Sequence, residues 1–120
     1  MIRKIHKPLT DLIVNKLDAG KAEQISILDV RRLSGFADVM IIATGTSTRH
    51  VMSLAHHLTE ELKENGFRPL SDPETGTGHW VVVDLGAVLV HLMTAEARQT
   101  YALEDLWQVP KSTRKKTRAN

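Results

Sequence analysis

Val39-Met40-Ile41-Ile42-Ala43-Thr44-Gly45-Thr46-Ser47 opens on five consecutive apolar residues and closes on a glycine followed by two hydroxyls. A strand that is apolar at every position has no solvent face, so it is covered on both sides and sits centrally in a sheet. Gly45 closes that strand. Thr46 or Ser47 then offers the oxygen that caps the first N–H groups of a helix. Val51, Leu54, Leu58 and Leu62 give the helix its buried stripe, and Asn65-Gly66 ends it.

The flanks complete the pattern. Towards the N-terminus, Pro8 fits a first helical turn, where its missing N–H costs nothing. Leu9, Leu12, Ile13 and Leu17 follow at helical spacing, and Gly20 is a stop. Gln24 to Val30 is short and β-branched, with Ile25 and Ile27 alternating, and predicts a strand before a turn at Ser34-Gly35. Towards the C-terminus, Pro69 to Gly78 holds two prolines and two glycines and predicts a loop. Trp80–Asp84 and Ala87–Met93 are two β runs joined through Leu85-Gly86, a hairpin. Thr94 caps a last helix expected to carry Ala97, Tyr101, Leu106 and Trp107, and Pro110 begins a tail. The order αββαββα predicts an α/β (α+β) fold, a single domain over residues 1–109 with a mixed sheet and packed helices. Residues 110–120 are expected to be a basic, disordered tail.

With the turn on Leu85-Gly86, Asp84 would pair with Ala87 and Trp80 with His91. Alternation along the strands then separates two surfaces. Val81, Val83, Val88, Val90 and Leu92 form an aliphatic face, which is core. Trp80, Val82, Asp84, Ala87, Leu89, His91 and Met93 form the other, a mixture that suits the centre of an interface. The alternative is that a helix covers this face and buries Trp80.

Charge is distributed unevenly. Of 16 basic residues, Lys111, Arg114, Lys115, Lys116 and Arg118 fall in the tail, which has no acid. The body keeps 11 basic against 14 acidic residues and is mildly acidic. Such a tail suits a solvated end or a weak, non-specific RNA contact through released counterions. The chain has no cysteine, which excludes disulfides, thiolate metal sites and thiol catalysis. The opening residues lack the apolar run of a secretory signal, and no stretch approaches the ~18 apolar residues of a membrane span. A cytoplasmic protein without membrane association is the expectation.

Catalytic parts are few. Thr46, Ser47 and Arg49 at a helix start are a candidate anion cradle, although the stretch lacks the glycines and lysine of a phosphate loop. The six histidines show no His-x-x-x-His spacing, so no metal site is expected. Asp29, Asp38 and Asp84 stand singly at strand positions, and the close pair Asp72 and Glu74 lies in a loop. Two-metal chemistry needs carboxylates held together on a rigid element, and none are so placed. No cofactor is expected.

Three blocks in order carry a resemblance. Asp38-Val39-Met40-Ile41-Ile42-Ala43-Thr44-Gly45-Thr46-Ser47-Thr48-Arg49-His50-Val51 resembles the signature of the ribosomal silencing factor (Iojap-like) family. Trp80 to Gly86 with Val90-His91-Leu92-Met93 is similar to its second block. Arg98, Tyr101, Leu103-Glu104 and Leu106-Trp107 are similar to its third. The resemblance runs from about Pro8 to Trp107 and leaves the tail outside. It implies a nucleotidyltransferase-like fold without the catalytic carboxylates. It also implies binding to the large ribosomal subunit at its protein numbered fourteen, which blocks small-subunit joining and represses translation in starvation or stationary phase, and a homodimer. Candidate partner-binding residues are Trp80, Asp84, His91, Met93, Arg98, Tyr101, Glu104 and Trp107, of types common at interface hot spots or suited to a basic partner. The competing readings are a nucleotide-binding, nucleotidyltransferase-like enzyme and a basic-tailed RNA-binding module.

Overall fold

Among the described residues seven elements follow one another in the expected order: α1 (Lys7–Ala19), β1 (Glu23–Asp29), β2 (Val39–Gly45), α2 (Thr48–Glu64), β3 (Trp80–Asp84), β4 (Val88–Thr94) and α3 (Ala95–Tyr101). The computed structural model describes residues 6–32, 35 and 37–102. Of the expected turn at Ser34-Gly35, Ser34 lies outside them.

The four strands pair in the order β1-β2-β4-β3. β2 is antiparallel to β1 and parallel to β4, and β3 is antiparallel to β4, so the sheet is mixed. Every residue of β2 and β4 is buried, as an apolar run with both faces covered requires. One face of the sheet presents Val39, Ile41, Ala43, Val81, Val83, Val88, Val90 and Leu92 to α1 and α2, which contribute Ile13, Leu17, Val51, Leu54, Leu58 and Leu62. This is the main core, and it includes every residue of the aliphatic hairpin face. A second cluster on the opposite face joins Met40, Ile42, Leu89 and Met93 to Val30, Ala37 and Ala97 of α3.

The helix ends follow from local chemistry. Ser47 is the N-cap of α2, its hydroxyl accepting from His50 N–H at 3.0 Å. Thr94 caps α3 in the same way, accepting from Ala97 N–H at 3.2 Å. Gly20 ends α1, but its φ is −84° and the left-handed residue is Lys21. The missing side chain matters for packing instead, because a Cβ on Gly20 would lie 2.8 Å from Leu54 Cδ2 on α2.

Two expectations are corrected here. The hairpin register is Trp80 to Met93, Val82 to His91 and Asp84 to Leu89, two residues away from the expected pairing. The turn falls on Gly86-Ala87, with Leu85 N–H donating to Val88 O at 3.0 Å. Gly86 has φ +83°, a value that would strain Leu85 at the first central position of a two-residue turn. Asp84 Oδ1 reinforces the turn by accepting from Gly86 N–H at 2.8 Å. A slip of two residues leaves each strand residue on its own face, so the sorting of the two surfaces survives the change of register. The second correction concerns the last helix. α3 ends at Tyr101, with Ala102 in left-handed φ 49° and ψ 47° as its C-cap, whereas the last helix was expected to carry Leu106 and Trp107 as well. Those two residues lie outside the described residues.

Candidate functional site

Rows of paired residues cross the second face. Thr44, Met93 and Trp80 form one, Ile42, His91 and Val82 the next, and Met40, Leu89 and Asp84 the third. Trp80 and Val82 stand on β3, an edge strand with no further strand beside it among the described residues. The Tyr101 ring from the last turn of α3 lies 4.6 Å from the Trp80 ring, centroid to centroid. Trp80 is half-buried, Tyr101 is 54% exposed and Val82 is 37% exposed. The face is therefore partly covered: α3 packs over Met93, and an aromatic and aliphatic patch stays open at the edge.

Beneath the patch, Trp80 Nε1–H donates to His91 Nδ1 at 2.9 Å, and the two rings lie 5.7 Å apart. His91 is 8% exposed, and burial pushes its pKa down to about 4, so the ring is neutral at physiological pH.

Arg98 holds α3 in place. Its Nη1 donates to the carbonyl of Gln24 and to Thr44 Oγ1 at 2.8 Å, and its Nη2 donates to Ser26 Oγ at 2.9 Å. Gln24 is a left-handed residue, φ 50°, at the point where the β1–β2 register shifts. The guanidinium thus ties α3 to an irregular edge strand two strands away.

The other candidates are placed as follows. Met93 is fully buried and shows no surface for a partner, because α3 closes over its row. Asp84 is half-buried and committed to the hairpin turn. Glu104 and Trp107 lie outside the described residues. Of the anion cradle, Ser47 spends its hydroxyl on capping α2. Thr46 donates its N–H to His50 Nδ1 at 2.9 Å, and the His50 Nε2–H donates to Gly20 O at 2.8 Å. His50 therefore fills the cradle and binds the start of α2 to the end of α1, leaving only exposed Arg49 of the three uncommitted to that network. Among the described residues no group of three His, Asp or Glu side chains is placed to hold a metal ion. No helix among them is long and apolar enough to cross a membrane.

Sequence reasoning placed Val82 on the interface-suited face without naming it as a partner residue, and did not single out Leu70. Leu70 is 69% exposed, and its N–H donates to Asp84 O at 2.8 Å, which ties the loop to the end of β3. Valine on a mixed strand face carries no marker of exposure, and Leu70 lies in a loop without periodicity. Arg98's partners were equally hidden, being more than fifty residues away in the chain.

The model for the family described as "Ribosomal silencing factor during starvation" matches residues 4–120. The chain belongs to the ribosomal silencing factor family. The match takes in residues 110–120, which the motif resemblance had left outside. The ribosomal silencing factor RsfS of Haemophilus influenzae is 42% identical over 99 residues, covering 82% of this chain and 97% of that one. A mouse relative, "Mitochondrial assembly of ribosomal large subunit protein 1", is 35% identical over 102 residues, covering 81% of this chain and 44% of its own. The X-ray crystal structure of a Chromobacterium violaceum protein superposes with a TM-score of 0.81 at 34% identity, covering 95% of this chain and 92% of that one. A crystal structure from Bacillus halodurans gives 0.75 at 35% identity, with 85% and 95% covered. This silencing-factor fold is thus a four-stranded mixed sheet with two helices on one face and a short one on the other.

Proposed function

We propose that the chain docks on the large ribosomal subunit at its protein numbered fourteen, prevents the small subunit from joining, and so represses translation under starvation or stationary phase. Membership of the silencing factor family supports the biological setting, which is cytoplasmic. The observation that carries the docking surface is the Trp80–Tyr101 ring contact at 4.6 Å, with Tyr101 and Val82 still open to solvent at the sheet edge. Tryptophan and tyrosine are the residue types that most often dominate binding energy, and a rim-exposed, partly buried pair is already ordered before the partner arrives. No catalytic residue or cofactor is assigned.

The same open edge favours a second use. A homodimer that covered Val82 and Tyr101 would hide the ribosome-facing patch, so dimer and docked monomer would exclude each other.

Co-sedimentation with purified large subunits tests the reading through Trp80→Ala. The half-burial of Trp80 sets a folding cost below that of a core aromatic, roughly 1–3 kcal/mol. Docking should weaken by about 2 kcal/mol or more, and subunit joining should no longer be blocked. A folded Trp80→Ala chain that still sediments with large subunits and still blocks joining would remove this surface from the function.

A further inference from the structure

His91 stands between Ile42 and Val82 in a row of the sheet that is otherwise aliphatic on β2 and β3. An indole N–H can only donate, so the 2.9 Å bond from Trp80 Nε1 requires a lone pair on His91 Nδ1. The neutral ring then carries its hydrogen on Nε2. That atom is buried and has no hydrogen-bond partner among the described residues. A buried donor without an acceptor costs stability, whereas a leucine in the same place would leave no polar group stranded. Considerations of folding alone therefore argue against histidine here. Among the described residues the polar contact of its side chain is with the ring at the centre of the candidate docking patch.

We propose that His91 is a positioning residue for docking: its Nδ1 lone pair sets the orientation of the Trp80 ring, and through the Trp80–Tyr101 contact that of Tyr101, in the geometry that meets the partner. The inference rests on the reading that Trp80 and Tyr101 form the docking surface. Trp80 lies on an edge strand and is only partly buried, so packing holds it less tightly than it holds a core ring. The bond from Nε1 to a fixed acceptor on the neighbouring strand adds a constraint on its orientation. The orphaned Nε2–H is what the fold gives up for a preset aromatic patch, a loss of stability in exchange for preorganisation.

The test uses the full chain with His91→Leu and His91→Asn, alongside Trp80→Ala. Melting temperature, the Trp80 indole 1H–15N signal and binding to purified large subunits are measured for each. Leucine should melt at or above the wild-type temperature, shift the indole signal towards that of a water-exposed ring, and bind about tenfold more weakly or worse. Asparagine places Oδ1 where Nδ1 stood and should restore the indole signal and bring binding back within about threefold of wild type. A purely structural role for His91 would not raise stability while lowering affinity. A His91→Leu chain that binds like wild type while Trp80→Ala does not would overturn the positioning role and leave the docking reading standing. Wild-type binding by Trp80→Ala would overturn both. A His91→Leu chain that fails to fold would show that histidine serves the fold, and a folded His91→Asn chain as weak as His91→Leu would show that the acceptor is not what matters. In the wild-type protein, 15N shifts that put the imidazole hydrogen on Nδ1 would overturn it without any substitution.

Discussion

The guanidinium of Arg98 on α3 closes on the carbonyl of Gln24, 74 residues earlier in the chain. Gln24 sits in left-handed backbone, an unfavourable state for a residue with a side chain, and Arg98 donates to the carbonyl at this kink. One side chain thereby stabilises an irregular edge and fixes the helix that carries Tyr101. Arg98→Lys keeps the charge but loses the planar fork that reaches three acceptors at once. We expect it to lower stability by about 1.5–3 kcal/mol in denaturant unfolding, the range for hydrogen bonds to a charged group. Faster amide exchange over Ala95–Tyr101 should accompany the loss. A variant as stable as wild type, with α3 equally protected, would show the clamp to be unimportant.

His50 joins three segments through two ring nitrogens. Its Nε2–H serves Gly20 O at 2.8 Å and its Nδ1 serves Thr46 N–H at 2.9 Å. His50→Ala leaves an exposed backbone donor and an exposed backbone acceptor to water, and should cost roughly 0.5–1.5 kcal/mol by thermal or denaturant unfolding. Arg49→Ala, one residue away and exposed, should change stability by less than about 0.5 kcal/mol. Equal effects at the two positions would contradict the assignment of the cradle to His50.

The neutral, buried state of His91 predicts how stability depends on pH. The unfolded chain takes up a proton at His91 near the ordinary 6.5, whereas the folded chain resists it until about 4. Between those values the unfolded state binds more protons, so stability rises with pH and is lost as pH falls from 6.5 towards 4. The full loss from this group is about 3 kcal/mol, reached below pH 4. His91→Leu should remove that part of the slope. Parallel pH–stability curves for wild type and His91→Leu, measured by urea unfolding from pH 4 to 7, would show that His91 is not buried neutral.

Residues 110–120 place five positive charges on a body that is otherwise mildly acidic. We expect the tail to tune ribosome affinity by neutralising phosphates without setting specificity. Truncation after Val109 should preserve large-subunit binding and flatten its dependence on salt in proportion to the number of phosphates the tail neutralises. If truncated protein fails to bind even at low salt, the tail is the recognition element and the aromatic patch is secondary.

Much of this molecule is written in short-range patterns. The apolar run from Val39 to Ala43 identified a strand covered on both sides, and β2 lies between β1 and β4. The hydroxyls at Thr46-Ser47 and at Thr94 announced two helix starts, since a hydroxyl before a helix is needed by N–H groups only two or three residues on, and the structure chose Ser47 over Thr46. The alternation that sorted Val81, Val83, Val88, Val90 and Leu92 from Trp80, His91 and Met93 held even though the pairing moved by two residues, because side chains repeat with a period of two. Tertiary structure alone decided the rest. The register waited on which residue could take positive φ in the turn, and that was Gly86. Arg98's acceptors come from two other strands, and the cradle's donors were taken by a histidine that also had to reach Gly20. Whether Trp80 was buried or open depended on where α3 stopped. It stops at Tyr101, so that it covers Met93 and leaves Tyr101 exposed beside a partly buried Trp80. Periodicity records which way a side chain points, whereas coverage depends on elements that are distant in sequence and meet only in the folded chain.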